Sequence, residues 1–109
     1  MPVYVLADDV DTPDWAPLQQ VAAIWNRGGG TPALVVEDFM YMWRCDAPDD
    51  RPSVHLYKHI WSRRYLNLDD AGHAYEYRGG SKDPRFRNDA ACIYRLHRDL
   101  ATAVHRVGI

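Results

Sequence analysis

Apolar positions recur with two different periods along the chain, and the change from one to the other predicts the elements. Residues 2–7 read as a short first strand, and Asp8-Asp9-Val10-Asp11-Thr12 as a polar loop. Leu18, Val21, Ala22 and Trp25 then fall at helical spacing on one face. Asp14 suits the N-terminal cap of that helix and Pro17 its first turn, where a missing N–H costs nothing. Gly28-Gly29-Gly30 followed by Pro32 ends it. Residues 33–43 fit two patterns. Ala33-Leu34-Val35-Val36 and Phe39-Met40-Tyr41-Met42-Trp43 are β-like, yet Val36, Phe39, Met40 and Trp43 also match a helical face, and strand is the preferred reading.

After the polar, Pro-containing loop 46–53, strict alternation begins. Val54, Leu56 and Ile60 alternate with His55, Tyr57, His59 and Trp61, which predicts a strand with two distinct faces. Tyr65-Leu66-Asn67-Leu68 and His73-Ala74-Tyr75-Glu76-Tyr77-Arg78 flank Asp69-Asp70-Ala71-Gly72, a strong turn signal. A four-residue loop there pairs Leu68 with His73, Leu66 with Tyr75 and Arg64 with Tyr77. That register puts Leu66, Leu68, Tyr75 and Tyr77 on one face and Tyr65, Asn67, Ala74 and Glu76 on the other.

Past Gly79-Gly80-Ser81-Lys82, a last helix is expected from Asp83-Pro84 or from Asn88. Phe86, Ala90, Ile93, His97, Leu100, Val104 and Val107 recur at spacings of four and three, and Gly108 can cap the end. The expected fold is α+β: residues 1–109 as a single domain, with an antiparallel sheet of about four strands. An N-terminal and a longer C-terminal helix cover the sheet.

Composition changes this picture little. With 109 residues, 47% of them hydrophobic and 26% charged, the chain is an ordinary folded domain in size and make-up. The bases are 11 Arg and 2 Lys and the acids 13 Asp and 2 Glu, a bias that suggests a GC-rich coding genome. The opening residues have neither a basic stretch nor a long apolar one, and no apolar run approaches a membrane span, so a cytoplasmic protein with no membrane partner is expected. Cys45 and Cys92 alone make no disulfide scaffold.

The net charge of −2 argues against overall recruitment by a polyanion, but the charge is uneven. Residues 1–50 hold nine acids against two bases, and residues 51–109 eleven bases against six acids. Either the halves neutralise each other, or a basic surface is kept for a partner.

Most candidate chemistry has a plainer structural reading. His55 and His59 share a strand face and are weak metal candidates, with His73 or a carboxylate as third ligand. Packing beside Tyr57 and Trp61 is the simpler account, and no metal or other cofactor is expected. No G-x-S-x-G elbow is present, and Cys92 reads as a packed thiol. Asp8, Asp9, Asp11 and Asp14 lack the pattern of a calcium loop and read as a solvated acidic loop; Gly28-Gly29-Gly30-Thr31-Pro32 lacks the lysine of a phosphate loop. No catalytic residue is assigned and an enzyme is not expected. His97, in the apolar seam, reads as a core histidine or as a pH-sensitive contact.

The basic hairpin is the most informative feature. In the expected register Arg63 lies opposite Arg78, and like charges so placed repel unless an anion sits between them. Lys58, Arg64, Lys82, Arg85 and Arg87 are near in sequence, interleaved with Tyr57, Trp61, Tyr65 and Phe86. Arginine with aromatics is the composition of protein hot spots and of nucleic-acid surfaces alike. The partner-binding residues expected are Lys58, Trp61, Arg63, Arg64, Tyr65, Arg78, Arg85 and Arg87.

Tyr57-Lys58-His59, Arg63-Arg64-Tyr65-Leu66-Asn67-Leu68-Asp69, Gly72 and Tyr75-Glu76-Tyr77 resemble a hairpin of small orphan proteins of actinobacteria and their phages. The likeness covers about a fifth of the chain. It implies a small accessory protein acting on host machinery and carries over no catalytic residue. The leading expectation is a non-enzymatic protein working through contacts with a host protein or with itself, homodimerisation through the C-terminal helix included. A DNA- or RNA-binding regulator using the basic hairpin and that helix is the alternative, and a small His-based enzyme or metal protein a weaker one.

Overall fold

The computed structural model describes residues 3–80 and 91–109. They form β1 (Val3–Leu6), α1 (Ala16–Arg27), a 3-10 turn (Val36–Asp38), β2 (Phe39–Asp46), β3 (Val54–His59), β4 (Tyr65–Leu68), β5 (Ala74–Gly80), β6 (Ala91–Leu96) and α2 (Leu100–Val107). The strands pair antiparallel in chain order, and β6 returns to β1, closing a six-stranded barrel. This corrects the expected four-stranded sheet with a longer C-terminal helix. The helices have 12 and 8 residues, so the C-terminal one is the shorter. Among the described residues no helix is long and apolar enough to cross a membrane.

The error lies in residues 91–96. Ile93 and His97 continue the helical spacing of α2, but in β6 Cys92 and Tyr94 are buried while Arg95 is exposed, a period of two. The expected helix starts at Asp83 and Asn88 lie outside the described residues. Residues 33–36 are likewise not strand; chain direction changes through the 3-10 turn before β2. The double pattern in β2 has a cause. Tyr41 faces Tyr57 and Trp43 faces Leu56, so Met42 is an extra residue in a bulge. The bulge sends Tyr41 to the outside of the barrel and Trp43 to the inside.

The barrel has two apolar shells. Tyr4, Cys45, Val54, Leu56, Cys92 and Tyr94 fill the inside. Tyr57, Leu66, Leu68, Ala74 and Phe39 on the outside are covered by Leu18, Val21 and Ala22 of α1 and by Ala103, Val104 and Val107 of α2. Burying each large aliphatic side chain contributes about 1.5–3 kcal/mol. Ala103, Val104 and Val107, the apolar face of α2, thus pack on the chain's own barrel. As expected, Pro17 enters the first turn of α1; the N-cap position is Trp15, without a side-chain cap bond, and not the expected Asp14, whose Oδ1 accepts from Ala16 N at 3.1 Å. After the helix, Gly30 lies against the Trp25 indole, which leaves no room for a Cβ. Trp25 Nε1 donates to Pro32 O at 2.7 Å.

The β4–β5 hairpin differs from expectation by one residue. Asn67 pairs with Tyr75 and Leu68 with Ala74. Asp69 N donates to His73 O at 3.0 Å, leaving a three-residue turn whose last residue, Gly72, has φ 85°. Asp69 is fully buried and fixes this turn. Its Oδ1 accepts from Ala71 N and His73 N, both at 2.9 Å, and its Oδ2 from the Tyr75 hydroxyl at 2.8 Å. A one-residue slip exchanges faces. Leu66 and Leu68 do lie under the helices, but Tyr75 packs with the inner shell and Tyr77 is 55% exposed.

This register yields a prediction. Leu66→Ala should lower unfolding free energy by about 2–5 kcal/mol, as for a buried leucine. Tyr77→Ala should cost about 1 kcal/mol or less, since the side chain is exposed and its ring contact among the described residues is with Tyr94. Urea unfolding of the two variants checks this; similar losses for both would favour the register in which they share the core.

Candidate functional site

One end of the barrel interior opens to solvent. Leu56 of β3, Tyr65 of β4, Tyr77 of β5 and Tyr94 of β6 line a hollow of about 270 Å³ there. The inward face of each strand supplies one of these residues, so the alternation that fills the barrel also builds its mouth. Tyr94 and Leu56 form the buried floor; Tyr65 and Tyr77 form the exposed rim. Tyr77 and Tyr94 rings lie 5.5 Å apart. The Lys58 ammonium sits 5.8 Å above the Tyr65 ring, a cation–π contact, and Met40 is cross-strand from Lys58. Asn67, directly across from Leu56, donates from Nδ2 to Tyr75 O at 3.3 Å. Its Oδ1 is buried with no hydrogen-bond partner among the described residues. Trp61, in the adjoining β3–β4 turn, is 76% exposed.

The residues expected to bind a partner therefore separate. Lys58, Tyr65 and Trp61 belong to this end of the barrel. Arg63 is exposed in the same turn with φ 65°, and does not oppose Arg78 because β4 begins only at Tyr65. Arg64 turns to the outer face, where its Nη1 donates to Arg106 O at 3.5 Å, at the C-terminus of α2. A cation there meets the negative end of the helix dipole. Arg78 is also on the outer face, donating to Glu76 at 3.5 Å. Arg85 and Arg87, like Lys82 and Phe86, lie outside the described residues. The rim residue Tyr77 was assigned to the core by the shifted register; the signal for its true face was its alternation with Glu76, which places it on the same side as Tyr75.

Around Glu76 the bases concentrate. Arg95 donates to its Oε2 at 2.9 Å, and Arg106 and Arg78 both reach Oε1. The Arg95 and Arg106 guanidinium groups hold the Glu76 carboxyl down, at about 2. A polar groove beside it is lined by Arg95, Arg98, His97, Thr102 and Arg106. His97 is half-buried after β6, not in a helical seam, and burial lowers its pKa against the opposing pull of Glu76. Ion pairs among the described residues thus form mainly within each half of the chain, as with Arg44–Asp46 and Arg95–Glu76, while Arg51–Asp49 joins the two halves at their boundary. The halves do not broadly neutralise each other.

His55 and His59 are both buried on the outer face of β3 and go to different places. His59 Nδ1 accepts from Ser62 N at 3.1 Å and its ring packs edge-on against Phe39, a structural role in the β3–β4 turn. His73 is exposed and bonds Asp69. His55 instead meets Asp70 Oδ1 at 3.2 Å and Asp14 Oδ2 at 3.9 Å through Nε2, and the Tyr41 hydroxyl at 2.8 Å through Nδ1. Asp14, His55 and Asp70 are the residues whose potential ligand atoms converge among those described. The Tyr41 hydroxyl is raised first by burial, with Asp14, Asp46 and Asp70 adding to the effect and Arg44 opposing it. Sequence reading missed both aspartates, which it placed in a helix cap and a turn.

Nucleophilic chemistry has no support in the thiols. Burial pushes Cys45 up to about 11, and Cys92 is raised for the same reason. The thiolate is the reactive form. The two are not joined by a disulfide.

No protein-family model, curated protein or solved structure matches the chain.

Glu76 gives a pH prediction. Its folded pKa of about 2 lies below the ordinary value of 4.5. Its contribution to stability is therefore complete above about 4.5 and is lost as pH falls toward about 2. Glu76→Gln should flatten the stability curve across that window and leave its neutral-pH side unchanged in shape. Denaturant unfolding from pH 6 down to 2 measures it; equal acid slopes in both proteins would show that the arginines do not hold this carboxylate.

Proposed function

We propose that the chain is a non-enzymatic binding protein whose barrel mouth takes an apolar side chain of a partner protein. The observation that carries this reading is the hollow bounded by Leu56, Tyr65, Tyr77 and Tyr94, open to solvent. Its 270 Å³ falls just short of the roughly 300–1,000 Å³ of small-molecule clefts, which suits a single anchoring side chain. Trp61, Tyr65 and Tyr77 supply large, stiff contact surface, and aromatic residues of this kind dominate binding energy at interfaces. Lys58, held over Tyr65, and Arg63 add charge at the rim, where it steers a partner more than it holds one. In this reading the setting is cytoplasmic. The hairpin's likeness to small actinobacterial and phage proteins makes the partner a host protein.

The nucleic-acid alternative draws on the same aromatics, as stacking surfaces, and on the bases around Glu76. Those bases lie on the outer face beside α2, away from the mouth, and three of them already contact one carboxylate. That division favours the protein reading.

A peptide-display selection on the purified chain tests it, with single-stranded and duplex oligonucleotides measured in parallel. Selected peptides should share one large apolar residue and bind with little dependence on salt. Trp61→Ala and Tyr77→Ala, at exposed positions, should each weaken binding at least tenfold. Failure to enrich any peptide, or binding that both variants retain, would reject the mouth as the site. Oligonucleotide binding that falls steeply with salt would install the alternative, since each neutralised phosphate releases counterions.

A further inference from the structure

Outside the barrel, three ligand atoms from three separate elements converge. Asp14 comes from the segment before α1, His55 from the middle of β3, and Asp70 from the β4–β5 turn. His55 Nε2 is 3.2 Å from Asp70 Oδ1 and 3.9 Å from Asp14 Oδ2, and all three atoms lie within 4.8 Å of one another. A zinc-class ion holds imidazole nitrogen and carboxylate oxygen at about 2.0–2.2 Å, so neighbouring ligand atoms around it stand about 3–3.5 Å apart. The Asp14 and Asp70 side chains are 47% and 69% exposed, and small rotations bring them to that spacing.

The imidazole is prepared for such a role. It is 4% exposed, wedged beside Tyr41 and Tyr57, so Nε2 is aimed at the carboxylates. Its Nδ1 lies 2.8 Å from the Tyr41 hydroxyl, which is able to accept Nδ1–H. Metal-binding histidines commonly have this kind of outer support, which fixes the ring and the tautomer. Charge points the same way. With Nδ1–H given to Tyr41, Nε2 presents a lone pair, yet two carboxylates converge on it, and neither has a lysine or arginine partner among the described residues. A dication balances both.

We propose that Asp14, His55 and Asp70 bind one divalent cation of the zinc class. One imidazole with two carboxylates suits Zn²⁺ or Co²⁺ better than Ca²⁺ or Mg²⁺, which prefer all-oxygen shells. Three protein ligands leave a position on the solvent side for water, and the ion ties the segment before α1 to β3 and to the β4–β5 turn.

Titration of the chelator-treated chain with Zn²⁺, followed by calorimetry and thermal unfolding, tests this, with Co²⁺ absorption reporting the ligand field. One equivalent of Zn²⁺ should bind and raise the melting temperature, because a ligand of the folded state stabilises it. Asp70→Asn and Asp14→Asn should each weaken binding at least tenfold and remove the thermal shift. Both sites are exposed enough to change without unfolding, and asparagine at 14 keeps an oxygen for Ala16 N. Asp49→Asn and His105→Gln, at exposed positions elsewhere, should bind as the unaltered chain does. Less than one equivalent, preference for Ca²⁺ or Mg²⁺, or undiminished binding in either Asp14→Asn or Asp70→Asn would overturn the three-ligand site.

Discussion

Asp69 sets the arrangement on which everything else in this chain depends. A carboxylate with no exposure is costly unless hydrogen-bonded, and this one gathers donors from Ala71, His73 and Tyr75. Those donors lie two, four and six residues ahead, so satisfying the charge folds the chain back on itself. The turn that results has three residues and a glycine in the left-handed region. Its length fixes the β4–β5 register, and the register assigns faces. Tyr75 and Tyr77 go inward; Glu76 and Arg78 go outward to α2. Asp70, the next residue, is left exposed beside His55. Removing the Asp69 carboxylate would leave its donors unpaired and free the hairpin to slip, which explains why so polar a residue is tolerated in so buried a place.

Closure into six strands limits where a ligand can sit. Interiors of eight-stranded barrels are only just wide enough to be filled by side chains or to hold one small ligand. Here Tyr4, Tyr94, Trp43 and Tyr75 occupy the inside, and Trp43 Nε1 is bonded to Ala7 O at 2.8 Å. Room for a ligand is therefore left at the rim and on the outer surface. Tyr65 and Tyr77 continue the inner face beyond the packed shell, so the mouth is the part of the core that the barrel is too short to enclose.

Much of this was legible in the sequence, and the failures have identifiable causes. The helix over residues 16–27 and the β3 alternation were readable because one period dominates each, and the place of the β4–β5 turn, though not its length, was readable from Asp69-Asp70-Ala71-Gly72. Closure was not. It needs β1 to pair with both β2 and β6, and no local pattern reports pairing between residues 4 and 92. The six residues of β6 were absorbed into a helical seam because Ile93 and His97 happen to be four apart. The histidines of β3 were read as surface residues since alternation with polar side chains usually means a wet face. Here α1 and its approach segment cover that face, with Tyr57 donating to Asp14 O at 2.6 Å. The two histidines singled out as a pair therefore separate: His55 converges with two carboxylates, and His59 bonds within the β3–β4 turn.

The charge asymmetry of the sequence is resolved by segregation. Acidic groups collect about Tyr41 and His55, where Asp14, Asp46 and Asp70 act together on one phenol. Basic groups collect about Glu76, where three arginines share one carboxylate. Each pole carries an excess of its own sign, which costs stability through repulsion unless something outside the chain offsets it. The mouth lies between these poles in character, apolar with Lys58 and Arg63 beside it among the described residues. Strand β3 links the acidic pole to the mouth: His55 points outward to the acidic cluster while its neighbour Leu56 points inward to the hollow. Alternation along one strand thereby gives two surfaces of opposite chemistry, separated by the thickness of a pleat. A cation at one and an apolar anchor at the other would each be held without touching the other's residues.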